Sequence, residues 1–478
     1  MVRVCMQRCK TIFLPEILRM KKFGLALLLL PFVVSAQDID DSLFIHSIAV
    51  NILSSDASYN NLHYLTKNIG GRLSGSPQMY KAEQWGAQAL KEAGADNVIL
   101  QECMVPHWVR GGKDQAFITY KDANGKDQKY WLNVLALGNS AGSGPSGVSA
   151  PLIRVNNFDD LEAKKNELKG KIVFYNIPFD DTLVNTFAAY SKNVIYRGIG
   201  ASRAAKYNAI GMLMRSMTNS PGNYPHTGSL RYTDSLKKIP AAAMGLDDVK
   251  KLDSLFDNNV TITASLFTYG KMLPDTIAHN VIGELKGTEH PEQIITVGGH
   301  LDSWDPAEGA NDDGTGVVQT IEVLRVLKAL GYQPKHTIQF VLFANEENGT
   351  RGAKKYAEEA LHNNEPHIFA LESDAGGFTP RGFSFDMDAA SQQKINSWKH
   401  FFTPYYGDRF ENGEGGADIG YLKESTHTPQ AGLTPDTQRY FYIHHAATDV
   451  FENVDIREMK LGAINMAALI YLVDKYGL

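Results

Sequence analysis

The residues of this chain best suited to chemistry fall in short clusters in its C-terminal part. The first is His300-Leu-Asp302, and the second is Asp312-Asp313, set between Gly309 and Gly316. Glu346-Glu347, Glu372-Ser-Asp374 and His444-His445 follow. Imidazoles and carboxylates gathered at the ends of buried strands are what a divalent metal site needs. A His ligand commonly donates its other ring N–H to an orienting group, and Asp302 is close enough to His300 to hold it or to support a neighbouring ligand. One carboxylate can bridge two cations. Asp312 is the first choice for that role and Asp313 the second, with a helix N-cap as the alternative for Asp313.

Adjacent residues at a strand end can point different ways. Glu347 is therefore read as a ligand and Glu346 as the general base, which takes a proton from an activated water and passes it to the leaving amine. Asp374 reads as the terminal ligand of one metal. His445 completes the set, and His444 is placed to donate a hydrogen bond to a developing oxyanion. His300 and Asp374 would then hold one ion and Glu347 and His445 the other, with Asp312 between them. Two imidazoles and three carboxylates suit zinc, and two co-catalytic ions sit about 3.5–4 Å apart. The chemistry expected is hydrolysis of a peptide bond by a two-zinc site.

The elements that must position these residues show in the apolar runs. Residues 293–297, 337–343 and 368–371 read as buried strands, each followed by a ligand cluster. Val317, Val318, Ile321, Leu324 and Leu327 mark the buried stripe of a helix after the first. Strand, loop and helix alternate here, which predicts an α/β fold with a mixed, largely parallel sheet flanked by helices. In such sheets ligands bind beyond the carboxyl ends of the strands. Upstream, helices are expected over 42–68 and 77–93, and strands over 97–102 and 116–120. The small-residue run 138–147 reads as a linker. Residues 141–270 read as an inserted, β-rich domain, with loops at 190–204 and 220–232 forming a lid. The peptidase domain would then comprise 37–140 and 271–478. Within these parts Asp418 and Glu414 are candidates to grip a substrate ammonium, and Arg197 or Arg203 a substrate carboxylate.

Bulk properties narrow the class. The run from Met20 to Ala36 has a basic start, a short apolar stretch and a small-x-small end, as in a secretory signal peptide cut between Ala36 and Gln37. Residues 1–19 read as an upstream extension. A secreted or bacterial periplasmic protein is expected, without stable membrane association after cleavage. Removing residues 1–36 discards Cys5 and Cys9, leaves Cys103 alone, and takes the formal charge from −6 to −11. An acidic surface argues against nucleic acid as a partner.

Taken together, these motifs resemble the co-catalytic di-zinc exopeptidase family of the aminopeptidase Y and glutamate carboxypeptidase II type, and most of all its carboxypeptidase Q members. The resemblance rests on Gly-His300-Leu-Asp302-Ser-Trp304, Asn-Asp312-Asp313-Gly, Glu346-Glu347-Asn-Gly, Glu372-Ser-Asp374-Ala-Gly and His444-His445 with Asp449. Tyr224-Pro-His226-Thr-Gly228 and Lys238-Ile-Pro-Ala241 resemble that family's inserted protease-associated domain, and Gly415-Gly-Ala-Asp418-Ile-Gly420 its segment beside the substrate. It implies two zinc ions on His300, Asp312, Glu347, Asp374 and His445, Glu346 as base, and Asp302 as a support that does not itself bind metal. It also implies a cis Asp312–Asp313 bond, short peptides or dipeptides as substrates, and a homodimer. His444 stands where glutamate carboxypeptidase II has Tyr. Two other readings compete: a single-zinc acyltransferase of the glutaminyl-cyclase kind, and a non-catalytic receptor ectodomain.

Overall fold

The computed structural model of the protein describes residues 36–478. Apart from Ala36, the expected extension and signal peptide lie outside the described residues. Among the described residues no helix is long and apolar enough to cross a membrane. The chain divides after Asp41: Ala36–Asp41 opens a helix that runs to Ser54, and Ser42–Leu478 is one unit holding everything below.

The strands that carry the expected ligands lie side by side in one eight-stranded sheet. Its order is Asn97–Val109, Lys271–Leu285, His336–Phe343, His290–His300, His367–Glu372, Gln430–Pro435, Pro380–Asp386, Arg409–Asn412. The four strands from His336–Phe343 to Gln430–Pro435 are parallel. Antiparallel pairs flank them on both sides. The sheet is thus mixed with a parallel centre, and four carboxyl ends open on the same edge.

Burial explains that centre. All eight residues of His336–Phe343 are buried, as in strands covered on both faces. Alternate side chains enter different cores. Phe340 and Leu342 join a cluster with side chains of the helices Pro77–Ala93, Thr315–Ala329 and Ile456–Tyr476. Val341 and Phe343 meet Ala353, Tyr356 and Ala357 of Arg351–Asn363, and Leu422 of Gly420–Thr426. The helix Pro77–Ala93 matches its expected span. The Ser76 hydroxyl accepts from Met79 N–H, Pro77 opens the first turn, and Gly94 ends it in the left-handed region. The helix expected over 42–68 is instead broken after Ser54, resumes at Ala57–His63 and ends in a π-turn at Tyr64–Ile69.

A second mixed sheet of eight strands gathers Gln115–Lys121, Asp127–Leu132, Val134–Ala136, Val148–Val155, Ile172–Tyr175, Gly211–Arg215, Ala241–Met244 and Thr263–Phe267. Three strands before residue 141 thus pair in this sheet, earlier than the expected boundary of the insert. Residues 138–147, expected as a linker, carry no helix or strand and are held by backbone hydrogen bonds. Gly138 N–H donates to Gly228 O, and Gly142 and Ser143 N–H donate to Gly270 and Thr268 O. The small residues there serve close approach, since a Cβ on Gly138 would lie 1.8 Å from the Trp304 ring. Nor is the expected insert simply β-rich. The helix Leu246–Asp257 packs one face of its sheet, and Thr186–Ala205 packs the other.

That last helix corrects the loop expected over 190–204. Its Asn185 side chain caps Ala188 N–H, and Ala189, Asn193, Arg197, Ala201 and Ala204 form a buried stripe. Two of those five positions are polar, so the helical period is hidden in a hydrophobicity pattern. Residues 220–232, in contrast, are without helix or strand, as expected.

Candidate metal centre and active site

Three of the four parallel strands deliver a cluster at or just beyond the carboxyl end. His300 is the last residue of its strand, and its Nδ1 faces the carbonyl oxygen of Asp302 at 2.9 Å. That contact fixes the ring so that Nε2 points inward, 3.2 Å from Asp312 Oδ1 and 3.4 Å from Asp374 Oδ1. Asp374 follows the end of His367–Glu372. On the other side His445 Nε2 lies 3.3 Å from Asp312 Oδ2 and 3.1 Å from Glu347 Oε2. The five residues read as ligands therefore meet, in the expected pairing, with one oxygen of Asp312 toward each half. The Asp312–Asp313 peptide bond is cis.

Asp313 does not share this centre. Its Oδ2 accepts from His300 N–H at 3.0 Å and its Oδ1 from Gly316 N–H at 3.0 Å, the work of a carboxylate holding a helix start to a strand end. Asp302 acts through its backbone on His300. Its carboxylate accepts from Glu346 N–H at 3.0 Å and lies 3.8 Å from His300 Nδ1. Asn345, with a positive φ of 69°, turns the chain just before Glu346 and Glu347. Glu347 Oε1 accepts from Trp304 N–H at 3.1 Å.

His444 stacks on His445, with ring centroids 3.6 Å apart, and its Nε2 is 3.7 Å from Asp312 Oδ2. No contact links it to Glu347. His445, which reaches both carboxylates, is the better ligand of the two. Its φ of +60° is a left-handed conformation that a non-glycine residue holds only when its surroundings enforce it. They do so from the second sheet's side. Thr227 N–H donates to His445 O, and the His226 ring nitrogen Nδ1 donates to His444 O at 2.6 Å.

Electrostatics follow from crowding. Burial drives the Glu346 carboxyl well above its usual range, with neighbouring acids adding to the rise. Burial, then Asp312, pushes Glu347 up to about 7. Burial opposes a proton on His445, yet Glu347 and Asp312 lift it to about 9. The same contest leaves His300 well above a normal histidine, through Asp374 and Asp312. Protons on these two imidazoles offset the buried carboxylates. A metal ion would occupy the same side of the rings and displace those protons. The donor set fits zinc: two imidazole nitrogens and three carboxylates, all at close range, with Asp312 Oδ2 lacking any hydrogen bond.

Three supports had no role assigned from the sequence. Asp449 accepts from Asn311 N–H at 2.8 Å and from Asp312 N–H at 3.1 Å. Arg72 is fully buried and donates to the carbonyls of Leu301, Glu308 and Gly309. Glu372 accepts from the N–H groups of Ala417, Asp418 and Ile419. Asp449 was visible as part of a motif without a role. Arg72, in a Gly-rich turn, offered no signal of burial.

The four residues proposed to grip substrate separate. Asp418 is 1% exposed and neither carboxylate oxygen has a hydrogen-bond partner. Glu414 is exposed and lines a cavity of about 860 Å³ with Glu372, Asp374, Asn185 and Phe187. Arg197 reaches the centre, with Nη1 3.3 Å from His445 Nδ1. Arg203 does not reach it: it is exposed, and its guanidinium lies 5.1 Å from the Phe158 ring centroid. Six residues of helix turn it to a different face from Arg197.

Comparison with known proteins supplies context for this geometry. Residues 280–470 match peptidase family M28. Mouse (Mus musculus) carboxypeptidase Q is 33% identical over 428 residues, covering 89% of this chain and 87% of that one. The crystal structure of a peptidase M28 precursor from Shewanella amazonensis superposes with a TM-score of 0.86 at 29% identity, covering 91% of this chain and 97% of that one. A zinc aminopeptidase from Bacillus subtilis shares the fold, with a TM-score of 0.61 at 19% identity over 87% of this chain and 94% of that one.

Proposed function

The chain belongs to peptidase family M28, and from that premise we propose that it is a di-zinc exopeptidase acting on short peptides, with Glu346 as general base. The observation that carries the reading is the division of Asp312, Oδ1 toward His300 and Oδ2 toward His445. His300 and Asp374 would hold one ion and Glu347 and His445 the other, with Asp312 placed between them. When bound, the two zinc ions supply Lewis acidity, lowering the pKa of a water to about 7 and polarising the scissile carbonyl.

The protein's own groups do the rest. Glu346 takes the proton of the attacking water and returns it to the departing amine. Its backbone is braced by Asp302, so its reach is set by the strand end. His444, whose ring burial holds neutral by pushing its pKa well down, donates a hydrogen bond to the oxyanion. The cavity beside Asp374 is large enough for a short peptide. Asp418, buried and unpartnered, is the acid for a cationic group of the substrate. The second sheet covers the site as a protease-associated lid would, with residues 226–228 against His444 and His445. The full ligand set with its base speaks against a receptor ectodomain, and the split Asp312 against a single-zinc acyltransferase.

Metal analysis and one variant test the reading. The purified protein should carry two zinc ions per chain. Glu346→Gln should lower kcat by about 10²–10⁴-fold with zinc content unchanged. One zinc per chain, or a Glu346→Gln enzyme with full turnover, overturns it.

A further inference from the structure

The two halves of the proposed centre differ in what surrounds them. Asp374 lines the cavity of about 860 Å³ that also reaches Phe187 and Glu414. On the other side Asp312, Glu347 and His445 share a second cavity of only about 10 Å³ with Trp304, Ala446 and Asp449. That is room for one ion or one water-sized atom. Trp304, buried, is the largest side chain lining it. It touches both ligands of this half. Its backbone N–H donates to Glu347 Oε1 at 3.1 Å, and its ring meets the His445 ring edge to face, with centroids 5.8 Å apart. His300 and Asp374 take their contacts from Asp302, Asp312, Asp313 and each other instead.

Packing alone holds the indole. A buried tryptophan usually finds an acceptor for its ring N–H, but Trp304 Nε1 has no hydrogen-bond partner among the described residues. Trp108 meets the ring edge to face at 6.3 Å, and Leu73 joins the two in one buried cluster. Arg110 fixes the next residue along the chain, its Nε and Nη2 donating to the two oxygens of Asp305 at 2.7 Å. The remaining side is Gly138, which is tied to the segment that braces His445. Gly138 N–H donates to Gly228 O, and Leu230 N–H donates to Gly138 O. A Cβ on Gly138 would lie 1.8 Å from a carbon of the indole, so any larger residue there must push the ring aside. A displaced ring draws the Trp304 N–H away from Glu347 and its edge away from His445.

We propose that Trp304 is a positioning residue for one ion of the pair, the ion of Glu347 and His445, and that Gly138 sets its place. The indole closes the small pocket, so the segment around Gly138 and Gly228 governs how tightly that ion is held. The ion of His300 and Asp374 stands outside this control. The proposal rests on the di-zinc reading above and adds that the two ions depend on different parts of the molecule.

The test counts zinc. Zinc-loaded wild type, Trp304→Phe and Gly138→Ala are each equilibrated in chelator buffers of graded free zinc, and bound zinc per chain is measured. In both variants one ion should leave at about 10–100-fold higher free zinc than in wild type, the loss expected when a ligand's support is removed. The last ion should leave at the wild-type concentration. In a Glu347→Ala background, which keeps only the ion of His300 and Asp374, Trp304→Phe should change nothing further. A tryptophan that merely stabilises the fold would lower the melting temperature and weaken both ions alike, and that result overturns the proposal. So does a Trp304→Phe or Gly138→Ala protein that holds both ions as tightly as wild type. Where one variant fails to fold, the other decides. Wild type that never holds a second zinc sinks the di-zinc reading itself.

Discussion

Asp449 is not among the proposed ligands, yet two of its hydrogen bonds hold the backbone that carries Asp312. Oδ1 accepts from Asn311 N–H and Oδ2 from Asp312 N–H. An Asn in its place keeps one acceptor and turns an NH₂ toward the other N–H. Asp449→Asn should weaken zinc binding by about 10–100-fold, as loss of a ligand's supporting partner does. Competition against a chromophoric chelator measures it, and an unchanged affinity would show that Asp312 is held by other means. Asp302 illustrates the same division of labour. Its type and spacing marked it as an orienting group, but its carbonyl rather than its carboxylate meets His300. Side-chain chemistry is readable in sequence, whereas backbone contacts belong to every residue alike and leave no compositional trace.

The helix Thr186–Ala205 separates two views of the second sheet. If 190–204 were a surface loop, proline would be tolerated within it. In a helix interior, proline removes a hydrogen bond and clashes with the preceding turn, at about 3 kcal/mol. Ile195 is 48% exposed, so replacing it forfeits little packing. Ile195→Pro should lower unfolding free energy by about 3 kcal/mol and cut peptide hydrolysis, while Ile195→Ala stays within about 0.5 kcal/mol. Denaturant midpoints decide it, and two indistinguishable variants would restore the loop. Hydrolysis is tied to this element through its own cluster, where Ala189 and Ala201 pack with Tyr440, Phe441 and Ile443, just before the two histidines. The strands were legible because His336–Phe343 and His367–Glu372 are apolar runs with acids directly after them. This helix was not, because it buries Asn193 and Arg197 on its inner face.

At the scale of the molecule, metal binding and folding are one equilibrium. The proposed ligands come from three strand ends, the turn before a helix and a late turn, spread from His300 to His445, so they assemble only in the folded chain. Zinc stabilises the native state by about 4 kcal/mol when free metal exceeds Kd a thousand-fold. Chelation should therefore lower the melting temperature and stop hydrolysis, and added zinc should reverse both. Asp312→Ala should show little of this shift; a full shift in that variant would place the metal elsewhere. The clusters proposed as ligands and base, and three of the four parallel strands, were legible in the sequence alone, since residues 293–297, 337–343 and 368–371 are largely apolar runs that precede those clusters; the fourth strand, Gln430–Pro435, is a mixed run without that signal. Which histidine reaches Glu347, where the second sheet begins, and that Arg197 arrives beside His445 were decided by tertiary structure. Those facts depend on contacts between residues up to 248 positions apart, and a local pattern of polarity carries no record of a partner so distant.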